Sequence, residues 1–131
     1  MHDRLVERSR KALSSAYAPY SGHAVGAALA TEDGCVHVGC NIEVDGLRNT
    51  LHAEEVAVAD AVESGAEGFE ALSVSSETGA TPCGRCRQTL HEFCGGELTI
   101  FVDSVGDDDV TEHTLADLYP SPFPDRDANL F

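Results

Sequence analysis

Ala24-Val25-Gly26-Ala27-Ala28-Leu29-Ala30, Thr31-Glu32-Asp33-Gly34 and Cys35-Val36-His37-Val38-Gly39-Cys40 form the stretch from which the fold is read. Two short apolar runs joined through an Asp-Gly step predict paired strands in a hairpin, because that dipeptide accepts the positive φ angles a tight turn demands. Upstream, Asp3 to Tyr17 sets Leu5, Val6, Ala12 and Leu13 close to one helical stripe and stops at Ala18-Pro19-Tyr20-Ser21-Gly22, so a helix is expected there. Downstream, a polar loop from Asn41 to Thr50 leads into an Ala-, Val- and Glu-rich segment from His52 to about Ser64, which ends at Gly65 as helices often do. Ala71 to Ser75 reads as a buried strand, Cys83 to Phe93 as a helix, Leu98 to Val102 as a strand and Thr114 to Leu118 as a short helix. From Tyr119 the chain is rich in Pro and aromatics without periodicity. Helices alternating with strands after an opening hairpin predict a three-layer α/β sandwich, a mixed sheet of about five strands covered by helices. A length of 131 residues suits a single domain over 1–131, since two halves would each lack the surface to close a core.

Charge narrows the partners. There are 23 acids against 8 bases, a formal net charge of −15, and Lys11 is the only lysine. A polynucleotide would bring its phosphates into that field without the clustered Lys and Arg that displace counterions, so no nucleic-acid partner is expected. A neutral small molecule meets no such repulsion. The acids are spread along the chain, which serves solubility or a salt-rich cytoplasm where screening removes self-repulsion. No stretch approaches the roughly 20 apolar residues of a spanning helix, so a cytoplasmic protein with no membrane partner is expected. In such a chain Cys83-Gly84-Arg85-Cys86 favours metal or redox use over a disulfide.

The chemistry is concentrated in His52-Ala53-Glu54, opening one helix, and in Pro82-Cys83 with Cys86, opening the next. Cys83 and Cys86 are three apart at a helix start, which puts both sulfurs on one face beside unpaired N–H groups that favour thiolates. His52 supplies a nitrogen from a separate helix start. Three such ligands leave the fourth tetrahedral position of zinc open for water, the mark of a catalytic site. Glu54, two residues from a ligand, can reach that face without binding the metal and is the candidate general acid and base. Alone, each part has a plainer reading: a redox pair or half a structural zinc site for the cysteines, a cap for the His, a dipole partner for the Glu. Together, H-x-E followed by P-C-x-x-C is the signature of zinc deaminases. Cys35, Cys40 and Cys94 read as small hydrophobes with no role.

The chain resembles the cytidine deaminase family, specifically its short, single-domain, tetramer-forming branch. The resemblance runs through Ala18-Pro19-Tyr20-Ser21 with Val25-Gly26-Ala27-Ala28, Gly39-Cys40-Asn41-Ile42-Glu43, the two zinc motifs, and Leu118-Tyr119-Pro120-Ser121-Pro122-Phe123. It implies a cytidine deaminase-like fold, Zn2+ as cofactor, a homotetramer, and hydrolytic deamination of free cytidine or deoxycytidine. By the same resemblance Asn41 and Glu43 would bind the ribose hydroxyls and Ala53 would offer backbone groups to the pyrimidine edge. Phe123 would stack over the base in a neighbouring subunit's site. The alternatives are a deaminase of a modified cytosine nucleoside, similar to the blasticidin S deaminases, and a non-catalytic zinc-binding domain.

Two positions depart from the family pattern. His52 stands where many short members carry a third Cys, and Glu55 where they carry an Arg that offsets three thiolates. Two thiolates and a neutral imidazole leave zinc formally neutral, which predicts that Glu55→Arg partly rescues His52→Cys. His23 stands where the motif usually has Phe, and its imidazole could hydrogen-bond sugar or base or make affinity depend on pH.

Overall fold

The hairpin forms as its turn residues require. Strand β1 (Val25–Thr31) pairs antiparallel with β2 (Val36–Cys40), Ala28 lying opposite Val38, and Gly34 takes the left-handed φ of 89° that closes the turn. The computed structural model describes residues 2–125 and continues through α2 (Ala53–Glu63), β3 (Phe69–Ser76), α3 (Gly84–Phe93), β4 (Thr99–Ser104), β5 (Asp109–Thr114) and α4 (Leu115–Leu118), with α1 (His2–Leu13) ahead of the hairpin. The five strands make one mixed sheet in the order β2-β1-β3-β4-β5, in which only β3 and β4 pair in parallel.

Alternation along the strands divides the core into two layers, as the two-residue period of a pleated strand dictates. Ala27 and Leu29 of β1, Leu72 and Val74 of β3 and Ile100 and Val102 of β4 pack against Ala53, Ala57 and Ala61 of α2 and Leu90 of α3. Their neighbours Ala28, Ala30, Ala71 and Phe101 face the other way, onto Leu5 and Val6 of α1. Each fully buried Leu or Ile contributes roughly 1.5–3 kcal/mol. The face under α2 and α3 therefore carries most of the apolar stabilisation. Helices approach the hairpin closely at two glycines. A Cβ at Gly26 would collide with the backbone of Ser9 and Leu13, and one at Gly39 with that of Ala53 and Ala57. Gly39 thereby sets how close the start of α2 comes to β2.

On the α1 face a polar network supplements the smaller apolar cluster. Arg10 donates two hydrogen bonds of 2.7 Å to the two oxygens of Asp103, whose side chain is 0% exposed, and Ser75 donates a third. Ser9 Oγ donates to the Val6 carbonyl and bonds the hydroxyls of Ser73 and Ser75. Among the described residues no buried side-chain nitrogen or oxygen lacks a partner. Burial pulls the Asp103 carboxyl up, but the Arg10 and Ser75 bonds outweigh it and hold the group below the usual carboxylate range. Arg10→Met leaves that carboxylate buried without its cation. The expected loss is about 2 kcal/mol of unfolding free energy at pH 7, less than for a fully buried pair because Arg10 remains 38% exposed. A carboxyl depressed in the folded state stabilises above its unfolded value, near 3.9, and that contribution vanishes as pH falls through the folded value. Denaturant titrations should therefore show parent and variant converging below about pH 4. A gap unchanged at pH 3 would remove Asp103 as its source.

Two elements differ from expectation. Helix α1 stops at Leu13 instead of Tyr17, because residues 14–16 close short turn bonds back to residues 11–13. The Tyr17 N–H is taken by the carbonyl of Asn41 and its own carbonyl by the N–H of Glu43. A long-range bridge there replaces a further helical turn. Strand β5 has no signature in the sequence, because Asp109-Val110-Thr111-Glu112-His113-Thr114 is an edge strand of exposed and half-buried residues with too few apolar side chains to alternate. The segment from Tyr119 is described as far as Asp125, and residues 126–131 lie outside the described residues. No helix among the described residues is long and apolar enough to cross a membrane.

Candidate active site

Strand β1 runs between β2 and β3, with Gly26 opposite Cys40 and Val25 opposite Ser76, so β1 begins where its two neighbours end. Each neighbour then feeds a helix, β2 through residues 41–52 into α2 and β3 through residues 77–83 into α3. Both helix starts thus lie along one edge of the sheet, where ligands of open α/β sheets usually bind. His52 is the residue just before α2 and Cys83 the residue just before α3, both with extended backbone. The loop into α3 is held on two sides. Ser76 Oγ accepts from the N–H groups of Gly79 and Ala80, and Arg87 donates to the carbonyls of Pro82 and Leu118 and to Thr81 Oγ1.

The three expected ligands converge. His52 Nδ1 lies 3.3 Å from Cys83 Sγ and 3.3 Å from Cys86 Sγ, and the three atoms all fall within 4.8 Å of one another. Tetrahedral zinc at its usual bond lengths would set each N···S distance at about 3.6 Å, so the cluster is within a few tenths of an ångström of a loaded site. Donor chemistry agrees. Burial, and then the neighbouring Glu54 and Cys83, push the Cys86 thiol far up, so a thiolate survives there only beside a cation. Among the described residues this is the one His/Cys/Asp/Glu cluster with metal-binding geometry.

Glu54 is 6% exposed and faces the same cavity as His52 and Cys83. Burial raises its carboxyl above the usual range, which prepares it to hold a proton and return it. Glu55, one residue on, points elsewhere. It accepts the N–H of His52 at 3.0 Å and pairs with Arg85 through both carboxylate oxygens. Burial raises the Glu55 carboxyl, but the Arg85 and His52 bonds overcome it and the net shift is downward.

The cavity beside the ligands has a volume of about 260 Å³ and is lined by His23, Asn41, Glu43, Ala53 and Glu54 among others. Asn41 and Glu43 lie beyond the last ladder residue of β2, yet the backbone stays extended because Ile42 bridges Tyr17 on one side and Leu51 on the other. Both side chains therefore leave on the same side, as expected. Each is also engaged within the chain. Asn41 Oδ1 accepts from Val25 N–H and its Nδ2 donates to the His23 carbonyl, while Glu43 accepts from the N–H groups of Tyr20 and Ser21 and from the Ser21 hydroxyl. These bonds, led by those from Ser21, hold the Glu43 carboxyl below its usual range, so it presents charge to a ligand. Phe123 lies outside this lining. It is 64% exposed, its carbonyl accepts from Gln88 Nε2, and its N–H donates to the Tyr119 hydroxyl. The sequence reading missed the lining residues Ser21, Thr50, Ala80 and Thr81 and the bracing arginines Arg85 and Arg87. Arg85 and Arg87 had one signal, their place inside and just after the C-x-x-C motif.

Comparison with known proteins agrees with this geometry. The family described as cytidine and deoxycytidylate deaminase zinc-binding region matches residues 1–102. A cytidine deaminase of Sporosarcina psychrophila is 41% identical over 127 residues, which is 95% of this chain and 93% of the relative. One from Mycobacterium tuberculosis is 41% identical over 115 residues, covering 86% and 82% respectively. The crystal structure of cytidine deaminase from Burkholderia pseudomallei superposes with a TM-score of 0.89 at 36% identity, covering 94% of this chain and 99% of that one. With this likeness running through the fold and nearly the full length of both partners, and with a His/Cys/Cys cluster that fits zinc, the chain belongs to the zinc-dependent cytidine deaminase family.

Proposed function

We propose that the chain hydrolyses free cytidine or deoxycytidine to uridine or deoxyuridine with release of ammonia. The observation that carries this is a buried Glu54 facing the same cavity as His52 and Cys83, two members of the His52, Cys83 and Cys86 cluster. Zinc, held by those three, supplies the Lewis acidity that makes water a nucleophile at neutral pH. Glu54 takes a proton from the attacking water as a C–O bond forms at carbon 4 of the pyrimidine and passes it to ring nitrogen 3. It then takes the second proton, from the new hydroxyl, and passes it to the amine as the C–N bond breaks and the carbonyl forms. Ala53 offers its backbone to the pyrimidine edge, and Asn41 and Glu43 take the sugar hydroxyls. Their presence in the cavity favours an ordinary ribose over a heavily modified nucleoside.

His23, at the same wall, is assigned a hydrogen bond to the substrate. Phe123 is assigned to a neighbouring subunit's cavity in a homotetramer, a reading supported by its exposure on its own chain and by half-exposed Tyr20 and Leu51 beside cavity residues Ser21 and Thr50. A cytoplasmic location, rich in salt, suits the charge of −15. The test is the fall in absorbance and the release of ammonia on incubating purified protein with cytidine. No turnover of any nucleoside by zinc-loaded protein would leave a non-catalytic zinc domain instead. In the same assay His23→Phe is expected to raise KM roughly three- to tenfold, the worth of one hydrogen bond, with kcat little changed. A KM in this variant equal to that of the unaltered chain removes His23 from the substrate contacts.

A further inference from the structure

Glu55 and Arg85 lie outside the reaction just described, yet they bridge the two elements that carry it. Arg85 sits between Cys83 and Cys86 in the first turn of α3, and Glu55 in the first turn of α2. The guanidinium meets the carboxylate as a two-pronged fork, Nε to Oε2 at 3.0 Å and one terminal nitrogen to Oε1 at 2.6 Å. That same Oε1 accepts the N–H of His52, and the same guanidinium nitrogen donates to the Thr50 carbonyl at 2.6 Å. A continuous chain of hydrogen bonds therefore runs from the backbone of the imidazole ligand, through Glu55 and Arg85, into the turn that bears both sulfur ligands. Thr50 joins it from the loop that leads to His52.

The side chains of Arg85 and Glu55 are 44% and 24% exposed, and a pair so wet contributes little to folding stability. Its effect is geometric. A planar fork gripping both carboxylate oxygens fixes orientation as well as distance, which a lysine could not do. Zinc needs its ligand atoms placed within a few tenths of an ångström, and partners one shell out typically change metal affinity 10–100-fold. We propose that Glu55 and Arg85 are a positioning pair that locks the starts of α2 and α3 together and thereby sets how tightly the chain holds its zinc. The inference rests on the zinc-enzyme reading above.

The test is the zinc dissociation constant, measured by competition with a chromophoric chelator, together with the thermal midpoint of the metal-free protein. The chains compared are the unaltered one, Glu55→Gln, Arg85→Gln, the double substitution and Arg85→Lys. Glu55→Gln keeps an acceptor for the His52 N–H and loses the ion pair. Each glutamine substitution is expected to weaken zinc binding roughly 10–100-fold, with the double variant no worse than the weaker single and the metal-free midpoint nearly unchanged. Arg85→Lys, which keeps the charge and loses the fork, should lose most of the affinity too. Zinc affinities within threefold of the unaltered chain overturn the proposal. So do additive effects, full retention by Arg85→Lys, or a metal-free midpoint that falls as much as the loaded one, which marks a merely structural pair. If the unaltered chain binds no zinc, the enzyme reading falls first and this inference falls with it.

Discussion

Glu54→Ala is expected to lower cytidine turnover at least a hundredfold while the protein keeps its zinc. General acid–base groups typically contribute 10²–10⁴ in rate, and this carboxyl, 6% exposed and raised by burial, is the one placed beside the ligand cluster to carry the proton. Two of the ligands are held by elements that do not depend on it. His52 is anchored through Glu55, and Cys83 through the loop that Arg87 and Ser76 brace. Metal content and catalysis should therefore separate in this variant. Glu54→Gln, which preserves shape and cannot shuttle a proton, is expected to behave alike. Turnover within tenfold of the parent, with one zinc per chain by atomic absorption, would refute the assignment.

The second large effect is loss of the metal. Cys86 is 1% exposed, and Cys86→Ala is expected to abolish stoichiometric zinc and bring turnover to the level of chelator-treated protein. Because burial and the adjacent Glu54 and Cys83 push the Cys86 thiol up, the metal-free chain holds a proton there at neutral pH, and zinc must displace it. The sign follows directly. Zinc affinity should rise with pH, by about tenfold per unit for each proton released, when chelator competition is run at pH 6, 7 and 8. A variant that retains one tightly held zinc, or an affinity flat across that range, would show that Cys86 is not the ligand its position implies.

Glu55 shows how far spacing carries and where it stops. The neutral charge of two thiolates and one imidazole accounts for the absence of an Arg after Glu54, and that reasoning treats position 55 as free to change. In the fold it is engaged, accepting the His52 N–H and pairing with Arg85. Glu55→Arg would set a second guanidinium against Arg85, so the structure removes the basis for expecting it to rescue His52→Cys. The partner could not be found from the sequence, because Arg85 lies 30 positions away and meets Glu55 only when α2 and α3 share one edge of the sheet.

What the amino-acid order determined alone is local: the hairpin closed by Asp33-Gly34, the helix starts at His52 and Cys83, and the ligand and carboxylate types at each. Such features follow from turn chemistry and helical spacing over a few residues, where a side chain's neighbours are its sequence neighbours. Tertiary structure decided the rest. It ended α1 at Leu13 because Tyr17 finds a better partner in the backbone around Ile42, and it recruited the polar segment 109–114 as an edge strand because β4 offered an unpaired ladder. It also drew His52 Nδ1 to 3.3 Å from two sulfurs 31 and 34 positions on. Those outcomes depend on contacts between distant segments, whose free energies exist only once the layers have packed.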